Sequence, residues 1–243
     1  MSDLSEVRTI FFDLDGVLVD SRIAIPRSIN FALECQGLVP RPEESLHRFI
    51  GPPLQQAFRE ILESEGADPE LARACVESYR ARYREVFLDE TLLMPGIEPM
   101  VRRLTERYTL AVVTSKPSAF ARPILEKLAV ADCFLEIVGP PLVPGHHEQK
   151  TLTLERAMEV LGIETRSLGA PAPAAIVGDR HFDVEAGRAM GLATVGVSWG
   201  IGSPSELRSA GADHIVNSPE ELVRLFASGD VVECSTSRAC PRS

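Results

Sequence analysis

The stretch Thr9-Ile10-Phe11-Phe12-Asp13-Leu14-Asp15-Gly16-Val17-Leu18 constrains the fold more than any other part of the chain. An uninterrupted apolar run rich in aromatic and β-branched residues suits a strand covered on both faces, the environment of a parallel sheet. Side chains alternate across a strand, so Asp13 and Asp15 leave its end on the same side and share one small volume. Two carboxylates placed there repel each other, so either a cation lies between them or one retains its proton. Gly16 lets the backbone turn sharply after the second acid. An Asp that merely caps a turn gives the same local pattern, so the other strand ends must decide between the two readings.

From Pro95 onward helix-like and strand-like stretches alternate. Strands are expected at Thr109 to Val113, Phe134 to Val138, Ala174 to Val177, Ala193 to Val197 and His214 to Val216. Helices are expected near Glu98 to Arg107, Ser118 to Leu128, Thr151 to Leu161, Phe182 to Met190 and Pro204 to Ser209. Residues 21 to 93 differ: Ile23 to Glu34, Leu54 to Glu65 and Pro69 to Val86 carry helical spacing, and no strand signal accompanies them. The pattern predicts an α/β fold, a doubly wound and mostly parallel Rossmann-like sheet, built from residues 1–17 and 95–227. Residues 18–94 form a helical cap inserted after the first strand. Residues 228–243 lose periodicity and are expected to be disordered.

The formal net charge of −10 argues against a nucleic-acid partner, which would need clustered cations to meet its phosphates. An anionic substrate must therefore be drawn by a local site. All but three of the 25 basic residues are arginines, which makes Lys116, Lys127 and Lys150 easy to follow. The five cysteines are odd in number and lack metal-ligand spacing, so they read as reduced thiols. The acidic, polar start of the chain has no secretory pattern, and no apolar run reaches the roughly 20 residues needed to span a bilayer. A cytoplasmic location is expected.

Ligands of open α/β sheets lie beyond the carboxyl ends of the strands. Four places there carry polar residues. Asp13 and Asp15 are the first. At the second, Thr114 and Ser115 end a strand just before a helix, where a hydroxyl and free N–H groups suit an anion, although an ordinary helix cap looks the same. Lys150 is the third: it opens a helix, a position where its charge opposes the macrodipole, which hints at another use. At the fourth, Gly178-Asp179 is followed by Asp183, and the two acids are placed to face one cation such as Mg²⁺. Four such coincidences in order are far more specific than any one.

This order resembles the haloacid dehalogenase-like hydrolases over residues 7 to 226. The first motif of that family matches Asp13-Leu14-Asp15-Gly16-Val17-Leu18, the second Thr114, the third Lys150, and the fourth Gly178-Asp179 with Asp183. Phe49-Ile50-Gly51-Pro52-Pro53-Leu54, Thr114-Ser115-Lys116-Pro117 and Gly196-Val197-Ser198-Trp199-Gly200 are similar to the phosphoglycolate phosphatase and 5′-nucleotidase-like branch. The resemblance implies an Mg²⁺-dependent phosphatase of a small phosphorylated metabolite, monomeric or homodimeric. It implies Asp13 as nucleophile, Asp15 as acid and base, and Thr114, Ser115 and Lys150 as phosphate-binding groups. It also implies a metal held by Asp13, the Asp15 carbonyl, Asp179 and Asp183. Arg22, His47, Arg48, Gly51 and Pro52 are expected to contribute substrate selectivity from the cap.

One departure stands out. His147 occupies the position of an arginine that relatives carry three residues before the lysine, a change that is expected to affect substrate preference or pH dependence. A phosphomutase of the β-phosphoglucomutase kind would use the same two aspartates. A dehalogenase would not need Asp15, and a phosphonate-cleaving relative would need a cap lysine that residues 17 to 94 lack. A phospho-accepting receiver domain also gathers Asp, Thr and Lys, but has neither the later acid nor the helical insert.

Overall fold

A computed structural model describes residues 4–143, 148–164 and 172–228. Six parallel strands form the central sheet: β1 Thr9–Phe12, β4 Thr109–Val113, β5 Glu136–Val138, β6 Ala174–Gly178, β7 Ala193–Val197 and β8 His214–Val216. Their spatial order is β5-β4-β1-β6-β7-β8. The chain fills one side of β1 outward and then crosses to the other, so its direction of winding reverses beside β1. That reversal opens a crevice at the carboxyl ends of the strands. Strand register sets the depth of this crevice, with Phe12 level with both Val112 and Val177.

Alternation along β1 feeds two separate apolar layers. Ile10 and Phe12 join Leu110 and Val112 beneath α5 Ile97–Thr105, α6 Ser118–Lys127 and α10 Pro219–Ser228. Phe11 points the opposite way, toward Ala111, Val113 and Ile176, where α7 Lys150–Val160 and α8 His181–Ala189 supply Leu154, Ala157, Met158 and Ala186. Burial on both faces explains why β1 is apolar throughout. The short helix α9 Pro204–Ala210 packs on α8 and the β7–β8 edge.

The segment between β1 and α5 is largely helical: α1 Ala24–Cys35, α2 Glu43–Leu46, α3 Leu54–Ser64 and α4 Ala72–Val86. These helices bury a core of their own, with Ile29, Leu33, Phe58, Ile61 and Cys75 inside. Two residue pairs correct the expectation of a strand-free segment. β2 Val19–Asp20 and β3 Leu92–Leu93 run antiparallel and join the two connections between insert and sheet. Such a neck is too short to carry a periodicity signal. A second correction is α10, which the sequence reading did not assign. Pro219 and two glutamates open it, the Ser218 hydroxyl accepts from the Glu221 N–H at 3.2 Å, and Leu222 and Phe226 are fully buried. Those are ordinary start signals overshadowed by a short apolar run. Phe134, expected to open a strand, instead follows a 3₁₀ turn and meets Phe12 edge to face at 6.2 Å.

The tail beyond Ser228 and the loop containing His146 and His147 lie outside the described residues, as do Cys234 and Cys240. Cys35, Cys75 and Cys133 are free thiols. Among the described residues no helix is long and apolar enough to cross a membrane.

Phe12 is fully buried in the central strand and packed on Phe134. Its truncation to alanine is expected to cost about 3–5 kcal/mol through lost transfer energy and a residual cavity. Urea denaturation followed by circular dichroism checks this, and a loss under about 1 kcal/mol would mean that the site collapses to fill the gap.

Candidate active site

Asp13 is the first residue beyond β1, and its backbone N–H still donates to the Val177 carbonyl at 2.9 Å. The sheet register therefore aims its side chain. Asp179 follows β6 directly, and Asp183 sits in the first turn of α8, where one carboxylate oxygen accepts from the Arg180 N–H at 3.2 Å. One oxygen from each of Asp13, Asp179 and Asp183 lies within 4.8 Å of the others, and all three residues are buried. Lys150 enters this group from the start of α7. Its Nζ donates to Asp13 Oδ1 at 2.6 Å and lies 2.8 Å from Asp183 Oδ1, an ion pair without hydrogen-bond alignment. The cation that opposes its own helix dipole is thus held by two carboxylates.

Asp15 lies in a different setting. Its Oδ1 accepts a short hydrogen bond from the buried Ser21 hydroxyl and pairs with Lys116 Nζ at 2.8 Å. Lys116 Nζ also donates to the Tyr83 hydroxyl of α4 at 2.5 Å. Two of the three lysines in the chain are therefore buried here, one on each acid of the first motif. Burial opposes both ammonium charges, yet the neighbouring acids outweigh it, and both lysines titrate above the ordinary lysine range.

Thr114 is the first residue beyond β4 and is buried. Its Oγ1 accepts from the Lys116 N–H at 3.1 Å, which leaves the hydroxyl proton free to donate toward the crevice. Close backbone approach builds the rest. Gly16 has φ +88°, and a Cβ there would lie 2.5 Å from Asp179 Oδ2. At Gly200 the same addition would come within 2.3 Å of that oxygen. The Asp179 Oδ2 atom accepts from the Ile201 N–H at 2.6 Å.

Beyond Asp15 a cleft opens between the insert and the sheet. Gly51 and Pro52 line it from the insert and Ser115 from the core. Arg22, His47 and Arg48 do not. Arg22 makes a two-pronged pair with Asp20 at 2.8 and 2.6 Å, and Arg48 pairs with Glu60 at 3.0 Å while lying over the Phe49 ring. His47 sits in a 3₁₀ turn away from the cleft lining.

The structure adds contacts that the sequence reading left unassigned. Lys116 was visible as one of three lysines, directly after the Thr-Ser pair, but nothing local marked Asp15 as its partner. Ser21 and Tyr83 gave no signal. Arg180 reaches from the fourth motif to the insert, donating through Nη1 to the Ile50 carbonyl at 3.0 Å and the Arg48 carbonyl at 3.5 Å. Its Nε is fixed by Glu206 at 3.0 Å. Glu206 loses solvation, but hydrogen bonds from His181 and Arg180 prevail and bring its carboxyl down to about 2.

A buried carboxylate cluster at the winding reversal, with a lysine against it and a helical insert above it, defines a hydrolase site of one family. The haloacid dehalogenase-like hydrolase family matches residues 10–197. A 5′-nucleotidase of Pseudomonas aeruginosa is 36% identical over 84% of this chain and 89% of its own. A phosphoglycolate phosphatase of Chromobacterium violaceum is 33% identical over 93% of this chain and 100% of its own. The crystal structure of a predicted phosphatase from Clostridium acetobutylicum superposes with a TM-score of 0.81 at 34% identity, covering 91% of this chain and 99% of the other. The chain belongs to the haloacid dehalogenase-like hydrolases. Within them it is an enzyme of the phosphatase group.

Members of this family use magnesium, and the donor set here fits it: carboxylate oxygens with no nitrogen or sulfur ligand among them. Asp179 Oδ1 is buried and has no hydrogen-bond partner among the described residues, an arrangement that is costly unless a cation faces it. Charge counting agrees, because four aspartates against two lysines leave two negative charges uncompensated.

Without a cation, protonation must relieve that excess. Burial pushes the Asp13 carboxyl up to about 7 against the pull of Lys150. Burial, reinforced by Asp13 and Asp183, pushes Asp179 up to about 8. In an unfolded chain both would titrate near pH 4, so the stability their protonated forms contribute is complete below that value and lost as pH rises through 7 to 8. In the presence of a chelator, the melting temperature is expected to fall from about pH 5.5 to about pH 8.5, and magnesium is expected to restore it at the upper end. Scanning calorimetry checks this; a chelated protein equally stable across the interval would mean that these acids are not strained.

Proposed function

We propose that the protein is a magnesium-dependent phosphomonoesterase that hydrolyses a small phosphorylated metabolite through a phosphoryl group carried on Asp13. The observation that carries the reading is the separation of two adjacent acids into two settings. Asp13 is caged with Lys150, Asp179 and Asp183, whereas Asp15 is held by Ser21 and Lys116 at the floor of the cleft. One is placed to attack and the other to exchange a proton.

In this reading an Asp13 oxygen attacks phosphorus in line, and the bond from phosphorus to the leaving oxygen breaks. Asp15 gives its proton to that oxygen, then takes one from the water that attacks the acyl phosphate. The second attack breaks the bond between phosphorus and Asp13 and releases inorganic phosphate. Lys150 and the hydroxyl of Thr114 hold the phosphoryl oxygens as charge shifts among them, with Ser115 beside them at the cleft. Bound magnesium, held by Asp13, Asp179, Asp183 and the main-chain carbonyl of Asp15, would supply charge neutralisation between the attacking carboxylate and the phosphate. The insert closes the site against water and selects the leaving group, with Gly51 and Pro52 in its wall.

The relatives named 5′-nucleotidase and phosphoglycolate phosphatase support this class. Phosphoglycolate, nucleoside monophosphates and sugar phosphates all belong to it. Asp13→Asn removes the nucleophile and Asp15→Asn removes a group that must exchange a proton. Each is expected to lower magnesium-dependent hydrolysis of p-nitrophenyl phosphate by about 10³-fold or more with the fold intact. Phosphate release alongside thermal melts tests both, and robust turnover by either purified variant would refute its role.

A further inference from the structure

The wall that α4 presents to the cleft is a single helical stripe: Val76, Tyr79, Arg80 and Tyr83 recur at three- and four-residue spacing and all line it. Tyr83 marks the catalytic end, because its hydroxyl accepts from the lysine that pairs with Asp15. Its ring stacks on Tyr79 at 5.4 Å between centroids. Arg80 lies nearly one turn away from Tyr83, about 5 Å along the helix axis. Around it the lining is apolar, with Phe49, Phe120 and Leu142 contributing.

Charged side chains lining this cleft are otherwise committed. Asp15 and Lys116 hold each other, and Glu148 pairs with Arg156 and accepts from Thr153. Arg80 is half-buried and makes no hydrogen bond or ion pair among the described residues. It is a fixed positive charge at the wall of a largely apolar cleft in a protein of net charge −10. Every other arginine discussed above has a carboxylate partner. A guanidinium presents a planar fork that matches two carboxylate oxygens at once.

We propose that Arg80 is a specificity-determining residue that selects phosphomonoesters whose leaving group bears a carboxylate beyond an apolar body. The phosphoryl group sits at Asp13, the apolar body lies along the tyrosine wall, and the carboxylate meets the Arg80 fork. The inference rests on the phosphatase reading and narrows its substrate class.

Phenyl phosphate and 4-carboxyphenyl phosphate share a ring and differ in the distal carboxylate. In the unaltered enzyme, kcat/KM for the carboxylated ester is expected to exceed that for phenyl phosphate by about tenfold to a hundredfold, the value of one charge-assisted pair. Arg80→Ala and Arg80→Gln bring the ratio to near one, and Arg80→Lys retains part of it. Because both esters are measured on the same preparation, a folding defect cancels from the ratio. An unaltered enzyme without preference, or a preference that survives Arg80→Ala, overturns the proposal. Failure of the unaltered enzyme to hydrolyse either ester with magnesium would instead overturn the phosphatase reading.

Discussion

Four aspartates and two lysines share the buried mouth of the sheet, and the fold is arranged around keeping them there. Taking so many charges from water is costly unless each is paired and hydrogen-bonded. The lysines pair with the two acids of the first motif, and backbone N–H groups at Ile201 and Arg180 satisfy the two later acids in part. The remainder is an excess of negative charge that a divalent cation would cancel. Glycines at 16 and 200 follow from the same constraint, since the backbone must come within side-chain distance of Asp179 to enclose it. A sheet register that slid by one residue would turn these acids away from one another and leave each buried charge without its partner.

The insert is attached to this charged centre through more than its neck. Tyr83 holds Lys116, and the Arg48 and Ile50 carbonyls accept from Arg180, whose neighbour in sequence is Asp179. Opening the cleft would break these bonds and expose the ammonium group that faces Asp15. In the proposed function, closing the cleft would seat Lys116 against Asp15 in the same movement that excludes water. The ring of Tyr83 stacks on Tyr79 of the same helix and on Phe87 just beyond its end, which limits the freedom of the group that holds Lys116.

The sheet was legible because burial on both faces leaves strands that are apolar throughout, and the strand ends at Asp13, Thr114 and Asp179 stand out against them. Lys150 was legible for a local reason too, as a cation in the wrong place for its helix. What escaped depends on contacts between distant segments. Asp15 and Lys116 are about a hundred positions apart, Arg180 and Ile50 further still, and no periodicity records such pairs. The selectivity residues show the same limit from the other side. Arg22 and Arg48 were expected to contribute selectivity from the cap, yet acids close in space or sequence hold them, whereas nothing in the sequence singled out Arg80. Helix α10 was missed because a short segment weighs little in a window-based reading, even with Ser218 and Pro219 at its start.

The division of the site has a consequence for how such a chain changes substrate. The phosphoryl end is a rigid cage in which several atoms lie within hydrogen-bond distance and a single added methyl would clash with Asp179. Variation there is destructive. The far end is an apolar wall on one helix stripe and a proline-rich turn, where one residue can be exchanged without disturbing the charges below. Replacing Arg80 alters what the wall attracts while leaving the Asp13 to Lys150 geometry in place, because α4 touches the charged centre through Tyr83 and not through Arg80. Specificity therefore rests on few positions, and it is separable from the chemistry by distance along a single helix.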